Sequence, residues 1–435
     1  MQDNSKLLFV GDLTTAGNYG AIATSEALKQ LAEQRFSSIR YIDYRSLINP
    51  TPLQGWGEVS PTRQTVLRTI IEAAKWPVSL AHRAFPLFTA SLWKKLFNAS
   101  ADLGRRDIPF LFSQYDKFAE DVLKGNTLQY ERDLIEWSDI VLINAEGNFV
   151  HGTDKYGKYR TGALYLLFLA YVSIKYFGRH CVIINHTVDP DNQDAAEIIK
   201  NVYPLLDYIT VRESFSAEKL RSWGINRAKL VPDALFTFFP ETSWKPSENL
   251  KNEIDFSRPY LCLGDSSGVR SRTNQVKWDV FSVYNELIEK LRKIVPQIVF
   301  VDGFNGGYDT INNIIKHNGL GRVNLSNCSY QDLHEVLKRG EIFISGRYHA
   351  SILSAMGGTP ILLWGADSYK TEGLYRLLDY PYRFFEIDTI PVHIDDISTE
   401  VRKVLENQED IRRDLLRKTE LLRDAARDHL QFNID

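Results

Sequence analysis

Short apolar runs alternate with amphipathic stretches along most of this chain, and this alternation constrains its fold more than any other feature. In the first half the runs "KLLFVGD", "DIVLINAEG", "HCVIINHTV" and "YITVRES" each precede a helical pattern. Strands that alternate with helices form βαβ units, in which the strands are parallel and helices cover both faces of the sheet. The first half is therefore predicted to be a doubly wound α/β domain.

A second series of the same kind starts near Tyr260, after the polar, proline-bearing stretch "PETSWKPSENLKN". Its apolar runs are "YLCLGDSSG", "QIVFVDG", "EIFISG" and "PILLWG". A chain of 435 residues also exceeds what one ordinary core holds. We therefore predict an α/β fold with two Rossmann-like doubly wound domains facing a cleft, over residues 1–240 and 255–390.

Two segments depart from the alternation. Residues 50–130 contain amphipathic helical patterns rich in aromatic and basic side chains, and they predict a helical insertion in the first domain. Packing on that domain is the first interpretation, and contact with a membrane surface is the alternative. The charged segment 395–435 predicts a C-terminal helix that braces the two domains and packs back on the N-terminal one.

Composition excludes several function classes. The net charge of −3 gives no global basic field for nucleic acid. The three cysteines are far apart, which fits buried thiols in a reducing cytosol, and no cluster has the spacing of metal ligands. The start carries no export signal, and the apolar stretch 161–177 is short and includes Lys175, so it predicts a buried helix. We expect a cytoplasmic protein, with the inner face of the membrane as a further location.

The best candidate site residues lie in "SGRYHASILSAMGGTP", directly after an apolar run. Ligands of open parallel sheets bind at the carboxyl ends of the strands. In extended backbone Ser345, Arg347 and His349 would project to one side. The start of the next helix adds backbone N–H groups that suit a carboxylate or phosphate. An ion pair for Arg347 and a capping role for His349 are an equally weighted alternative.

A second arginine, Arg212 in "VRES", also follows a strand, and Glu213 and Ser214 then begin a helix in a capping-like pattern. Taken singly, a solvent-exposed arginine is the more common case. Because each half offers one arginine at a strand end, however, the pair is suited to hold a small dianion between the domains.

Other strand ends supply weaker candidates. In "NAEGNFVHG" the carboxylate of Glu146 is placed to act as a base towards a hydroxyl, or else it caps the next segment. "AGNYG" lacks the lysine of a phosphate-binding P-loop, and its glycines most simply allow a tight turn. The candidate substrate-binding residues are Gly17, Asn18, Asn148, Ser214, Ser345 and Lys370.

Three segments resemble the polysaccharide pyruvyl transferase family: "GDLTTAGNYGAIATSEALKQL", "ITVRESFSAEKLRSWGINRAKLVPDALF" and "FISGRYHASILSAMGGTPILLWGADSYKTEGL". They match its G-N-x-G turn, its R-[DE]-x-x-S-x-x-x-L…G…D segment and its G-R-x-H-A segment, in that order. The resemblance runs from about residue 7 to 380 without the helical insertion. Glu146 stands where many members carry glycine, and "RES" replaces the commoner "RDP"-like run.

The resemblance implies two Rossmann-like halves similar to GT-B glycosyltransferases. It implies phosphoenolpyruvate as donor substrate. Because no cluster has the spacing of metal ligands, we expect catalysis without a metal ion or a further cofactor. The acceptor would be the hydroxyls of a sugar in a cell-surface polysaccharide or its lipid-linked or nucleotide-linked precursor. Arg212 and Arg347 match donor-binding arginines, and His349 matches a proposed general acid. A GT-B glycosyltransferase with a nucleotide-sugar donor is the alternative, and a non-catalytic subunit of a glycan-assembly complex is a third hypothesis.

Overall fold

Two large parallel sheets organise the described part of the chain. The computed structural model describes residues 3–43, 50–52, 106–150, 161–238, 243–270, 276–303 and 309–433. Most of the predicted helical insertion, residues 53–105, lies outside these ranges.

The first sheet has the strand order β2-β1-β5-β6-β7-β8, with every neighbouring pair parallel. The strands of this half are β1 (Asp3–Asp12), β2 (Phe36–Asp43), β3 (Pro50–Pro52), β4 (Arg106–Ile108), β5 (Ile140–Val150), β6 (His180–Asp189), β7 (Tyr208–Val211) and β8 (Lys229–Leu230). β3 and β4 form a separate two-stranded ribbon. Because the chain winds outward from β1 and returns on its other side, the topological switch point lies between β1 and β5.

The second sheet repeats this winding with the order β11-β10-β9-β12-β13, again parallel throughout. Its strands are β9 (Tyr260–Ser266), β10 (Gln297–Val301), β11 (Gly321–Val323), β12 (Phe343–Gly346) and β13 (Ile361–Leu363). Its switch point lies between β9 and β12. Ligands of doubly wound sheets bind outside the carboxyl ends of the strands at such points.

Helices cover the sheets on both faces. Those of the first half are α1 (Tyr19–Arg35), α2 (Tyr115–Leu123), α3 (Gln129–Trp137), α4 (Thr161–Lys175), α5 (Gln193–Val202) and α6 (Ser214–Ser222). Those that follow are α7 (Glu248–Glu253), α8 (Ser267–Arg270), α9 (Val280–Arg292), α10 (Asp309–Asn318), α11 (Tyr330–Arg339), α12 (Tyr348–Met356), α13 (Lys370–Leu377), α14 (Ile394–Glu406) and α15 (Gln408–Ala426). Short 3₁₀ turns span Phe112–Gln114, Tyr203–Leu205, Ala234–Thr237, Ile387–Val392 and Arg427–Leu430.

The apolar pattern decides how deeply each helix is buried. α5 buries Ala195, Ile198, Ile199 and Val202, which are spaced to form one face of a helix, and Asn192 caps its first turn. α4 is apolar on nearly all sides and is almost wholly buried, as predicted. Within the described ranges, no helix has both the length and the apolar character that a bilayer span requires.

The C-terminal segment contacts both halves. α14 packs on α9, and α15 packs against α12 and the Ala234–Thr237 turn. Beyond it, His429 bonds to the first half and the Phe432 ring stacks on Phe36 with centroids 6.3 Å apart. The predicted fold class, two Rossmann-like halves that meet face to face, is confirmed. The domain boundaries and the assignment of the last helix stay predictions.

Candidate active site

A cavity of about 190 Å³ lies where the two switch points face each other. Glu146 and Gly147 line it from β5 of the first sheet, and the start of α1 contributes Asn18. Arg347 and His349 line it from the end of β12 and the start of α12. The winding of both sheets therefore brings polar side chains from the two halves into one space.

Arg212 lies directly behind this lining and is 1% exposed. Its Nη1 is 2.8 Å from Asp233 Oδ2, 3.5 Å from Glu146 Oε1 and 3.2 Å from His349 Nε2, and its Nε donates to Thr187. Burial alone would lower the pKa of this guanidinium, but the two carboxylates outweigh it and raise the pKa above its ordinary value. Arg212 is therefore a fixed, fully charged group.

The Nη2 atom of Arg212 has no hydrogen-bond partner among the described residues, although it is buried. It faces Gly147, since a Cβ atom on that glycine would lie 3.8 Å from it. Buried guanidinium nitrogens are normally paired, because an unmet donor costs free energy. The unused donor is consistent with an anion that enters the cavity beside Gly147.

His349 is held between two carboxylates. Its Nε2 is 3.3 Å from Glu146 Oε1 and 3.5 Å from Asp233 Oδ2. On the other side its Nδ1 faces Gly20 of α1, where any Cβ would overlap the imidazole ring. Glycine at that position therefore lets the first helix of one half approach the histidine of the other half.

Glu146 has a backbone φ of 44°, in the left-handed region that glycine favours. A non-glycine residue there is strained by about 1–3 kcal/mol. Burial would raise the pKa of its carboxyl, but Arg212 and then His349 outweigh burial and lower it. The side chain is therefore an ionised carboxylate held at the cavity against the preference of its own backbone.

We expect Glu146→Gly to keep or raise the stability of the protein, by up to about 1 kcal/mol, and to impair its activity. Relief of the left-handed backbone offsets the loss of the contact with Arg212, but the carboxylate at His349 is gone. Chemical denaturation measures the first effect and an activity assay the second. Glu146→Gln is the control, since it removes the charge and keeps the strain. A fully active Glu146→Gly protein would contradict this expectation.

Arg347 is oriented by the second sheet. Its Nε donates to Asp265 at the end of β9, and its backbone N–H donates to Ser345 Oγ at 3.0 Å. Gly303 lies against the guanidinium: a Cβ atom on this glycine would be 3.4 Å from Arg347 Nε. The ion pair with Asp265 fixes the arginine side chain along the cavity rather than in solvent.

The other sequence candidates divide into two groups. Asn18 and Lys370 line the cavity; Asn18 also caps α1, and Lys370 Nζ is 2.6 Å from Asp367. The remaining candidates lie outside the lining: Gly17, Asn148, Ser214 and Ser345. Asn148 donates to the Ala145 carbonyl, Ser345 Oγ is fully buried against Asp265, and Gly17 has no neighbour within 4 Å of a built Cβ. His151 lies outside the described residues.

The expectation of extended backbone through His349 is wrong. β12 ends at Gly346 and α12 begins at Tyr348, so His349 occupies the first turn of a helix. The helix after Arg212 begins at Ser214 and is capped by Glu213, in agreement with the capping-like pattern. Sequence reasoning also missed Asp233, which is fully buried and bonds Arg212. Its signal was the last position of the R-[DE]-x-x-S-x-x-x-L…G…D pattern.

Two buried histidines behind the site give the protein an acid-sensitive stability. Burial, and next Arg212, lowers the pKa of His186 to about 3, while burial lowers that of His429 to about 4. Unfolded histidine titrates near ~6.5, so the unfolded chain binds more protons between these values. The contribution of these two histidines to the free energy of unfolding is therefore fully present above about pH 6.5. It is lost as the pH falls towards 4, by up to ~1.4 kcal/mol per pH unit for each histidine.

His429→Gln is expected to reduce the slope of the free energy of unfolding against pH, by the equivalent of up to one bound proton. Urea denaturation at pH 7, 6 and 5 measures this slope. Glu213 acts in the opposite sense, since burial raises its pKa, so the slopes of variants are compared rather than absolute values. The exposed His317 supplies the control His317→Gln. Equal slopes for both variants would contradict the assignment.

A model of the family described as "Polysaccharide pyruvyl transferase" matches residues 18–363, which hold both arginines, His349 and Glu146. The chain belongs to the polysaccharide pyruvyl transferase family. A curated relative, the amylovoran biosynthesis protein AmsJ of Erwinia amylovora, is 23% identical over 256 residues. That alignment spans 55% of this chain and 61% of AmsJ.

Solved structures agree on the fold. One of them is a Listeria monocytogenes protein described as a UDP-N-acetylglucosamine 2-epimerase. Its superposition on this pyruvyl transferase family member covers 99% of this chain and 97% of the Listeria chain, with a TM-score of 0.51 and 11% identity. S. aureus MnaA bound to UDP matches 96% of this chain and 91% of its own, with a TM-score of 0.50 and 11% identity. At this identity the likeness shows the GT-B-type fold alone. Across the described residues, no group of three or more His, Cys, Asp or Glu side chains is placed to hold a metal ion.

Proposed function

We propose that this protein transfers the pyruvyl group of phosphoenolpyruvate to two hydroxyls of one sugar, in a cell-surface polysaccharide or its precursor. The product is a pyruvate ketal and the leaving group is phosphate. The observation that carries the proposal is the convergence of Arg212, Arg347 and His349, from opposite sheets, at one small cavity. Its volume is below the ~300–1,000 Å³ of pockets for drug-sized ligands and suits a small anion.

The reaction balances without an oxidant or reductant. A proton adds to the methylene carbon of phosphoenolpyruvate, which becomes the methyl group of the ketal. One sugar hydroxyl then bonds to the central carbon, and the second hydroxyl displaces phosphate from the same carbon. Of the two hydroxyl protons, one replaces the proton given to the methylene carbon and the other leaves with phosphate.

The side chains fit these steps. His349 donates the proton to carbon, a role for which imidazole is suited near neutral pH. Glu146, ionised and 3.3 Å from His349, accepts the proton of the attacking hydroxyl and returns it to the imidazole. Arg347, Lys370 and Nη2 of Arg212 offset the charges of the donor carboxylate and the departing phosphate. These groups supply the chemistry without a metal ion or cofactor.

The acceptor sugar has room beside the donor. A neighbouring cavity of about 590 Å³ is lined by Asp189 of the first half and by residues of the second, including Glu372 and Phe384, and it shares Asp367 with the smaller cavity. Carboxylates accept hydrogen bonds from sugar hydroxyls. We propose that the acceptor binds there, and that the protein acts in the cytoplasm, where a lipid-linked acceptor would bring it to the membrane.

Thermal unfolding with added ligands tests the donor. Phosphoenolpyruvate at a hundred times its dissociation constant should stabilise the protein by about 2.7 kcal/mol. Arg347→Gln should weaken its binding by about 1.5–3 kcal/mol, because a hydrogen bond to a charged group is lost. Arg383→Gln, at an exposed ion pair with Asp396 in the same half, is the matched control and should bind like the parent. Stabilisation by UDP-sugars but not by phosphoenolpyruvate would favour a nucleotide-sugar glycosyltransferase instead.

A further inference from the structure

Tyr348 separates Arg347 from His349 in the sequence and has no part in the mechanism above. It is the first residue of α12 and is 3% exposed. Its ring centroid is 4.7 Å from the guanidinium carbon of Arg212, and the ring meets His349 edge-on at a centroid distance of 5.0 Å. The aromatic ring therefore packs against both Arg212 and His349.

The packing of the ring accounts for an aromatic side chain at this position but not for the hydroxyl group of Tyr348. Its oxygen is buried and has no hydrogen-bond partner in the described part of the chain. Buried tyrosines elsewhere in the same half are paired: Tyr260 donates to the Val336 carbonyl at 2.6 Å, and the backbone of Leu363 donates to Tyr375 at 2.9 Å. A buried hydroxyl without a partner destabilises the fold, so natural proteins pair nearly all of them.

Two further observations point to the missing partner. Tyr348 lines the same 190 Å³ cavity as Arg347 and His349. Burial, and next the charge of Asp233, raises the pKa of the phenol well above its usual value, so the group keeps its proton and stays a donor. A donor whose ring lies against Arg212, and which lines the same cavity as Arg347, matches an anion that has several acceptor oxygens.

We propose that the Tyr348 hydroxyl donates a hydrogen bond to the anion bound in this cavity, and that Tyr348 is a further substrate-binding residue of the site. The identity of the anion as phosphoenolpyruvate rests on the proposed function; the role of the hydroxyl rests on its own geometry. Binding of the anion then gives the Tyr348 hydroxyl a hydrogen-bond partner. The protein gains binding specificity from this hydroxyl at the expense of its own stability.

Tyr348→Phe tests the proposal, since phenylalanine keeps the ring against Arg212 and His349 and removes only the oxygen. Calorimetric titration with phosphoenolpyruvate should show affinity lower by about tenfold or more, the effect of one hydrogen bond to a charged ligand. The Tm without ligand should be unchanged or higher by about 2 °C, because an unpaired buried hydroxyl is gone. A hydroxyl with a purely structural role would lower the Tm and leave affinity intact.

Tyr260→Phe is the matched control: it breaks a made hydrogen bond, so its Tm should fall while its affinity for phosphoenolpyruvate stays that of the parent. A Tyr348→Phe protein that binds phosphoenolpyruvate as tightly as the parent overturns the inference and leaves the proposed function standing. If the parent itself does not bind phosphoenolpyruvate, the proposed function fails. The same proteins titrated with inorganic phosphate then decide the role of the hydroxyl: weaker binding by Tyr348→Phe supports it, and equal or absent binding overturns it.

Discussion

Replacing His349 with alanine is expected to lower pyruvyl transfer by about 10²–10⁴-fold, the range for loss of a general acid. If phosphoenolpyruvate is the donor, as proposed, it should still bind, because Arg212 and Arg347 remain. The structure makes the change specific, since His349 Nε2 is within 3.5 Å of both Glu146 and Asp233 and no other histidine lines the cavity among the described residues. Transfer is measured as acceptor-dependent release of phosphate, with lipid-linked and nucleotide-linked sugars screened as acceptors.

Whether the variant loses turnover, donor affinity or both decides how this result is interpreted. A general acid acts in the transition state, so its loss lowers kcat and kcat/KM together. His317→Ala, which removes an exposed histidine on α10, should transfer at the parental rate. A His349→Ala protein with parental turnover would rule out the mechanism. A protein that loses donor binding as well would assign His349 to binding instead of proton transfer.

The second large effect is expected on stability. Arg212→Met should lower the free energy of unfolding by about 3–5 kcal/mol, because it leaves the carboxylate of Asp233 buried without its counter-charge. Both side chains are almost wholly removed from water, so solvent cannot compensate for the charge that is left unpaired. Urea denaturation of the single variants Arg212→Met and Asp233→Asn and of the double variant measures the coupling between them.

Asp233→Asn in the Arg212→Met background should recover part of the loss, since the uncompensated charge is then gone. The control is Arg376→Met: Arg376 is half exposed, pairs with Glu372 at 3.0 Å and lies over the Phe215 ring. Exposed ion pairs contribute about 0–1 kcal/mol, so this variant should be close to the parent. Equal stabilities for Arg212→Met and Arg376→Met would show that the buried network does not hold the site together.

The fold followed from the sequence because its signals are local. Each apolar run of five or six residues, followed by a helical pattern and a turn, carries enough information to predict one βα unit. The same local reasoning located Arg212, Glu146 and Arg347, since polar residues at the ends of buried strands must emerge at one edge of the sheet. The positions of strand ends were less certain, which is why His349 was expected in extended backbone and lies in a helix.

The sequence predicted that both arginines lie at the cleft, but the direct contacts between the halves could not be predicted in this way. Arg212 and His349 are 137 residues apart, and their meeting depends on how two sheets face each other rather than on any nearby pattern. The need for glycine at position 20 arises from the same meeting. The left-handed backbone of Glu146 was also hidden, although the glycine expected at this position from the family resemblance was the available sign. The pattern marked the position of Asp233, but its bond to Arg212 became visible only in the structure.

The contacts of His429 have a consequence for how the protein is made. This residue bonds to Thr210 Oγ1 at 2.6 Å and to the Pro232 carbonyl at 2.8 Å. It therefore joins β7, which ends just before Arg212, to the residue that precedes Asp233. Those groups are synthesised about 200 residues before it. On the ribosome the first half emerges early and forms its sheet, but the bonds made by His429 wait for the turn Arg427–Leu430. Nascent chains stalled before residue 427 should therefore be folded in part and inactive.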